Sequence, residues 1–264
     1  MVIVTCANAD RAKDDSGEEY ENFSFRKVIS HTVAVAQRQG YTAEVYDLGE
    51  LGMGEPFSVT DETFAAKGYY GKEVVGGYKS KSLFKPGLVR LSMAKHDDLV
   101  VYLDGDAQLR AGLDEIDTDD YDVGVTLRDA GELESEWHKK HMEIVRFVNA
   151  GVIFFRPTRQ AEDFVARWSC LTDELGNDQM ALNRLCCPDR YPAPWSVHVL
   201  DGVRVKYFPG RIYNFYYFPE MFSGGAKVLH FKGSVRHFYP FGPGKKLFCL
   251  CRVPVTKLLA MLKK

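Results

Sequence analysis

Asp104 and Asp106 are set one residue apart by Gly105, directly after the apolar run Val100-Val101-Tyr102-Leu103. Such a run, meeting a glycine between two acids, reads as a buried strand ending in a tight turn with both carboxylates at its tip. Carboxylate oxygens are hard ligands suited to Mg²⁺ or Mn²⁺, ions that keep open positions for water and for substrate phosphates. An acidic surface turn would carry the same three residues, so the pattern needs partners elsewhere in the chain.

One partner is His230, in the strand-like segment Ala226-Lys227-Val228-Leu229-His230-Phe231, with Gly233 and Arg236 following at three-residue intervals. If both strands end on one edge of a sheet, Asp104, Asp106 and His230 supply two oxygens and one nitrogen to one ion. Mn²⁺ tolerates imidazole better than Mg²⁺ and is the better match. Gly233 would let a diphosphate approach the backbone, and Arg236 offers a planar fork for its oxygens.

The first strand, residues 2–6, runs into Ala7-Asn8-Ala9-Asp10. Ligands of α/β sheets sit at such junctions, which makes Thr5, Ala7, Asn8 and Asp10 candidates for a nucleotide base or ribose; a solvated turn is the alternative. Lys79, Lys81 and Lys85 lie just before or within a helix start from which a cation could reach phosphate, although lysines are mostly solvated. Asn149-Ala150-Gly151, heading the apolar run to Phe155, indicates close approach to the backbone at Gly151, with Asn149 offering both donor and acceptor. His138 and His141 could share zinc but lack a third ligand at suitable spacing, so residues 129–146 are expected to form an exposed helix or a mobile lid.

The elements that must position these groups alternate between strand and helix. Apolar periodicity predicts helices over 18–39, 82–93 and through Ala161, Phe164, Val165, Trp168 and Leu171. A further helix carries Leu182 and Leu185, capped by Asn177 or Asp178. Strands are predicted at 41–48, 121–127, 147–155 and 203–208. Residues 49–78 read as loop with a short helix near 61–66, and 209–218 as an aromatic-rich loop. Residues 252–264 form an amphipathic helix, expected to dock on its own domain, with weak peripheral association at an acidic membrane surface as the alternative.

At 264 residues and 45% hydrophobic content, one α/β domain is expected. A net charge of −2 and a pI near 6.4 give no electrostatic reason to expect a nucleic-acid binder. The N-terminus has no basic leader and no apolar stretch approaches the length of a spanning helix, so a soluble, cytoplasmic protein is expected. Cys6, Cys170, Cys186, Cys187, Cys249 and Cys251 lack zinc spacing and read as reduced thiols.

The order Asp104-Gly105-Asp106, Asn149-Ala150-Gly151, Asp178-Gln179 followed by Asn183, then His230-x-x-Gly233-x-x-Arg236 resembles the GT-A glycosyltransferases, and most closely the retaining glycosyltransferase family eight. The resemblance runs from the first strand to about residue 240. It implies a GT-A, Rossmann-like α/β fold with a mixed, mainly parallel sheet flanked by helices. The single domain, 1–264, would comprise a nucleotide-binding half (1–106), an acceptor and sugar-binding half (107–240) and a tail (241–264). It implies transfer of a sugar, with retention, from a UDP-sugar to an acceptor hydroxyl on a glycan, lipid-linked saccharide, protein or modified nucleic acid. Asp104, Asp106 and His230 would hold Mn²⁺, Gly105, Gly151, Gly233, Arg236 and Lys85 would lie near the donor, and Asn149, Asp178 and Gln179 would line the sugar. The chain departs from the family in having Arg236 for its lysine and His237-Phe238 for Pro-Trp. A sugar-nucleotide pyrophosphorylase would want a basic glycine-rich loop after the first strand, which Cys6 to Asp10 lacks. A non-catalytic nucleotide-sugar-binding protein would not need a complete metal triad.

Overall fold

The computed structural model describes residues 1–7, 23–47, 85–134, 136–140, 146–216, 225–232, 235–236 and 239. Expectations for Asn8, Asp10, Lys79, Lys81, His141, Gly233, the 49–78 loop with its short helix and the C-terminal helix lie outside these residues.

In chain order the elements are β1 (Val2–Ala7), α1 (Phe25–Arg38), β2 (Thr42–Asp47), α2 (Lys85–Met93), β3 (Val100–Asp104), β4 (Ala107–Leu109), β5 (Val123–Leu127), α3 (Ala130–Leu133), α4 (Glu136–Lys140), β6 (Val148–Phe155), α5 (Arg159–Leu175), α6 (Asp178–Cys186), β7 (Val197–Leu200), β8 (Val203–Phe208), α7 (Gly210–Tyr213) and β9 (Val228–His230). Seven strands form one sheet in the order β2-β1-β3-β6-β5-β8-β7. β6 and β7 run against the other five, which are parallel to one another. A separate ribbon pairs β4 with β9 antiparallel.

Both faces of the central strands are buried, as strands flanked by helices require, while the edge strands β2 and β7 are partly exposed. Val2, Val4, Val100, Tyr102, Ile153 and Phe155 pack on one side with Leu88, Phe164, Trp168 and Leu182 of α2, α5 and α6. Their neighbours Ile3, Val101, Leu103, Val152 and Phe154 pack on the other with Val35 and Ala36 of α1 and Tyr213 of α7. This is the two-residue alternation of side chains along a strand.

One helix start is corrected, and for another the structure selects between the two expected caps. The first helix begins at Phe25, because the Ser24 side chain accepts from the Lys27 backbone N–H and Ser24 itself is extended. The cap of α6 is Asn177, which accepts from the Met180 N–H; this frees the Asp178 side chain for another partner. β4 and β7 were not expected from the sequence; both are strands of only three or four residues. Of the exposed helix or lid expected over 129–146, the described residues form two short and mostly exposed helices, in which His138 alone is fully buried. Burial, then the nearby Arg128, pulls the His138 pKa below its ordinary value. No helix of the described residues is long and apolar enough to cross a membrane.

Candidate active site

β1, β3 and β5 are parallel, so their carboxyl ends share one edge of the sheet; β6 is antiparallel, so its first residues return to that same edge. Asp104, Arg128 and Asn149-Ala150-Gly151 are thereby neighbours although up to 47 positions apart. The β3 register ends at Leu103 opposite Val152, and β6 runs on past it to Val148. Side chains of α6 take over the missing ladder. Gln179 accepts from Ala150 N at 2.8 Å and donates to Val148 O at 2.9 Å, while Asn183 accepts from Val148 N at 3.2 Å. Gln179, expected to line the sugar, therefore has both ends of its amide engaged by the β6 backbone.

Directly after Asp104 the chain turns through Gly105, where a Cβ would stand 2.4 Å from the Cys6 carbonyl oxygen. Only glycine lets this turn lie on β1. Asp106 then enters β4, whose Ala107 pairs with His230 of β9, and Asp106 O accepts from Phe231 N at 2.9 Å. The ribbon thus closes a long loop and brings the histidine to the carboxylates. His230 Nε2 lies 3.1 Å from Asp106 Oδ1 and 3.8 Å from Asp104 Oδ2. One ligand atom from each of Asp104, Asp106 and His230 falls within 4.8 Å of the others, the sole such metal-competent group among the described residues.

The donor set fits a divalent ion for a second reason. His230 Nδ1 lies 2.9 Å from Asn214 Oδ1, an acceptor, so the tautomer that donates from Nδ1 would offer its Nε2 lone pair to an ion held between the acids. Asn214 is itself fixed, since its Nδ2 donates to Thr126 Oγ1 at 2.8 Å and to Asn149 Oδ1 at 3.0 Å. Asn149 Oδ1 also accepts from Gly151 N at 2.9 Å. Asn149 is thus a buried member of the network that orients His230. The approach expected at Gly151 is made by that same ring: a Cβ there would meet His230 Cε1 at 2.4 Å.

Lys85 joins the metal-competent cluster to α6. Its ammonium lies 2.8 Å from Asp104 Oδ1 and 3.0 Å from Asp178 Oδ2, and donates to Ala150 O at 3.3 Å. Burial works against this charge, but the two carboxylates outweigh it and hold the pKa above the ordinary lysine value. Burial likewise opposes ionisation of Asp106, and His230 and Arg236 overcome it, keeping the carboxyl well below its usual range. Arg236 reaches Asp106 Oδ2 from a pocket formed with the Phe23 and Phe25 rings, 5.5 and 5.7 Å away. Thr5 is buried in β1, and Ala7 ends that strand one residue past Cys6, the partner of Asp104.

On the far side of His230 is a group that sequence reasoning missed. The Tyr216 ring stands edge-on to His230 at 6.0 Å. Arg128 donates to Glu132 Oε1 at 2.6 Å and to Tyr216 OH at 3.3 Å, while Tyr216 OH donates to Glu132 Oε2. The Lys232 ammonium lies 5.0 Å from the Tyr216 ring centre. Burial, and then Arg128, brings its pKa down to about 8. The available signals were a charged residue just past the end of a buried strand, Arg128, and an unused lysine inside the His230-x-x-Gly233 spacing. Asn214 carried none beyond being a polar residue within an aromatic run.

Residues 98–230, half of the chain, match the family model for nucleotide-diphospho-sugar transferases. No curated protein matches the chain. Among solved structures, a glycosyltransferase involved in glycosylation of the major capsid of PBCV-1 is similar over 89% of this chain and 97% of its own, with 12% identity and a TM-score of 0.53. The galactosyltransferase LgtC, solved in complex with donor and acceptor sugar analogs, is similar over 89% of this chain and 88% of its own, with 17% identity and a TM-score of 0.47. The mixed sheet with flanking helices is the GT-A fold.

Proposed function

The chain belongs to the nucleotide-diphospho-sugar transferase family and is a sugar-transferring enzyme; from that premise we propose that it moves a sugar from a UDP-sugar to an acceptor hydroxyl, with Mn²⁺ as cofactor. The observation that carries this reading is the convergence of Asp104, Asp106 and His230, with the imidazole held through Nδ1 by Asn214. These three side chains would hold the ion, which when bound supplies Lewis-acid charge to the departing diphosphate. Mg²⁺ is the alternative ion.

The chain's own residues supply the rest. Arg236, held against Asp106 and two aromatic rings, is positioned to turn its fork toward diphosphate oxygens. Lys85 keeps Asp104 and Asp178 at fixed spacing, so that the carboxylate of Asp178 is presented where positive charge develops on the anomeric carbon. Asn149 and Gln179 set the backbone of β6 behind that carbon. The resemblance of the four ordered motifs to the retaining family eight is the basis for proposing retention. Thr5, Ala7, Asn8, Asp10, Gly105, Gly151 and Gly233 remain the proposed donor contacts, and 1–106, 107–240 and 241–264 the proposed division of labour. A cytoplasmic setting remains part of this reading.

The test is calorimetric titration of UDP with and without Mn²⁺, followed by a screen of UDP-sugars for slow release of UDP. UDP binding is expected to require the ion and to vanish in Asp106→Ala and His230→Ala. Unchanged UDP binding in both variants would sink the metal assignment, and no turnover of any nucleotide sugar, even with cell extract as acceptor, would sink the transferase reading.

A further inference from the structure

The metal-competent cluster is flanked by cations on two different sides. Arg236 approaches Asp106 from the Phe23 and Phe25 side, next to α1 and the nucleotide-binding half. Lys232 lies on the other side, against Tyr216, with Arg128 and Glu132 nearby at the end of β5 and in α3.

The charges on that second side do not cancel. Both oxygens of Glu132 are committed, one to Arg128 and one to Tyr216 OH. Glu132 is thus one carboxylate facing two cations: it is bonded to Arg128 and reaches Lys232 only through space. Among the described residues the Lys232 ammonium has no hydrogen-bond or ion-pair partner, and its one close contact is the face of the Tyr216 ring. A half-buried cation with only a ring face for company lacks the counter-charge that such groups ordinarily find. Asp104 and Asp106 act on it only from further off.

We propose that Lys232 is a specificity residue that binds a carboxylate or phosphate carried by the substrate on the side of the metal-competent cluster away from the nucleotide. The group belongs either to the transferred sugar, as in a uronic acid, or to the acceptor, as in a sugar phosphate. This rests on the donor reading above. Tyr216 would then floor the pocket, with Lys232 above it donating to the anion.

The experiment uses two matched pairs on the full chain with Mn²⁺. UDP-glucose against UDP-glucuronate tests an anion on the donor; glucose against glucose 6-phosphate, titrated onto protein already holding UDP, tests one on the acceptor. In at least one pair the anionic member is expected to bind about tenfold more tightly than the neutral one. Lys232→Gln should reduce that preference to about twofold or less, while Lys232→Arg should keep most of it. Thermal unfolding of both variants, with UDP binding as a check on the neighbouring cluster, separates loss of selectivity from loss of fold. Equal binding within both pairs, or a preference that survives Lys232→Gln in a folded variant, overturns the proposal. Failure of UDP to bind wild-type protein at all overturns the donor reading and this one with it.

Discussion

Gly151→Ala is the sharpest perturbation the structure offers. A Cβ at this position would stand 2.4 Å from His230 Cε1, 2.6 Å from His230 Nδ1 and 2.9 Å from Asn149 Oδ1, where ordinary contacts begin at 3.4 Å. The imidazole must therefore recede by about 1 Å, because the alanine is fixed within β6. The ring has no free end to swing, since Nδ1 is bonded to Asn214 and the residue is 4% exposed. Metal–ligand distances tolerate only about 0.2 Å of error. Displacement on this scale should weaken Mn²⁺ binding by about ten- to a hundredfold, the range found when a ligand's orientation is disturbed. Overpacking should also cost about 1–3 kcal/mol of stability. Mn²⁺ affinity is read by titration with UDP present, and stability by thermal unfolding in chelator. Gly87→Ala is the control: its Cβ meets nothing within 4 Å in α2, so it should stabilise by about 0.5–1 kcal/mol with Mn²⁺ affinity intact. A folded Gly151→Ala protein whose Mn²⁺ affinity lies within twofold of wild type would refute the claim that the His230 ring, held against Gly151, sets the metal site.

Lys85→Met leaves Asp104 and Asp178 without their shared cation and should destabilise the metal-free protein by about 3 kcal/mol; the loss in melting temperature should narrow when Mn²⁺ is added, and a loss independent of Mn²⁺ would count against Asp104 as a ligand. Gln179→Ala unpairs Ala150 N and Val148 O and should cost about 2 kcal/mol by denaturant unfolding; an unchanged midpoint would show that the clamp on β6 is dispensable. Glu44 gives a pH signature: burial favours its neutral form, but hydrogen bonds led by Tyr46 and His96 win and hold its pKa at about 2, below the ordinary 4.5. Its contribution to stability is complete above about pH 4.5 and is lost as pH falls toward 2, so wild type should lose more stability than Glu44→Gln across that window, and parallel acid-unfolding curves would contradict it.

What could be read from sequence was whatever a local pattern encodes. The run Val100 to Leu103 and the acids after it announced both a buried strand and the chemistry at its end, and His230 was legible because an imidazole at a strand end has few bland uses. Pairing was not legible. The ribbon that delivers His230 to Asp106 has strands of only three residues, too short for any alternation to show. Asn214 orients the imidazole through a tertiary contact, so nothing within its own neighbourhood of the chain distinguishes it. For Gly151 the sequence signalled a close approach but not what approaches. Asp178 was ambiguous between cap and functional acid until Asn177 proved to be the cap.

The same lost pairing that builds the site also ties its chemistry to its stability. β3 must stop at Asp104 for the carboxylates to face outward, and stopping there leaves the backbone of β6 from Val148 to Gly151 without a β3 partner. Gln179 and Asn183 repair the ladder at Val148 and Ala150 N, and Lys85 takes Ala150 O while bridging Asp104 and Asp178. A buried backbone group left unpaired costs about as much as a side chain's whole contribution to a modest active-site contact. Replacing Gln179 or Asn183 therefore moves the backbone that Asn149 and Gly151 hold against His230, and loss of activity in such variants reports first on that backbone. Only when unfolding midpoint and Mn²⁺ affinity are both preserved does a fall in kcat assign a residue here to the sugar itself.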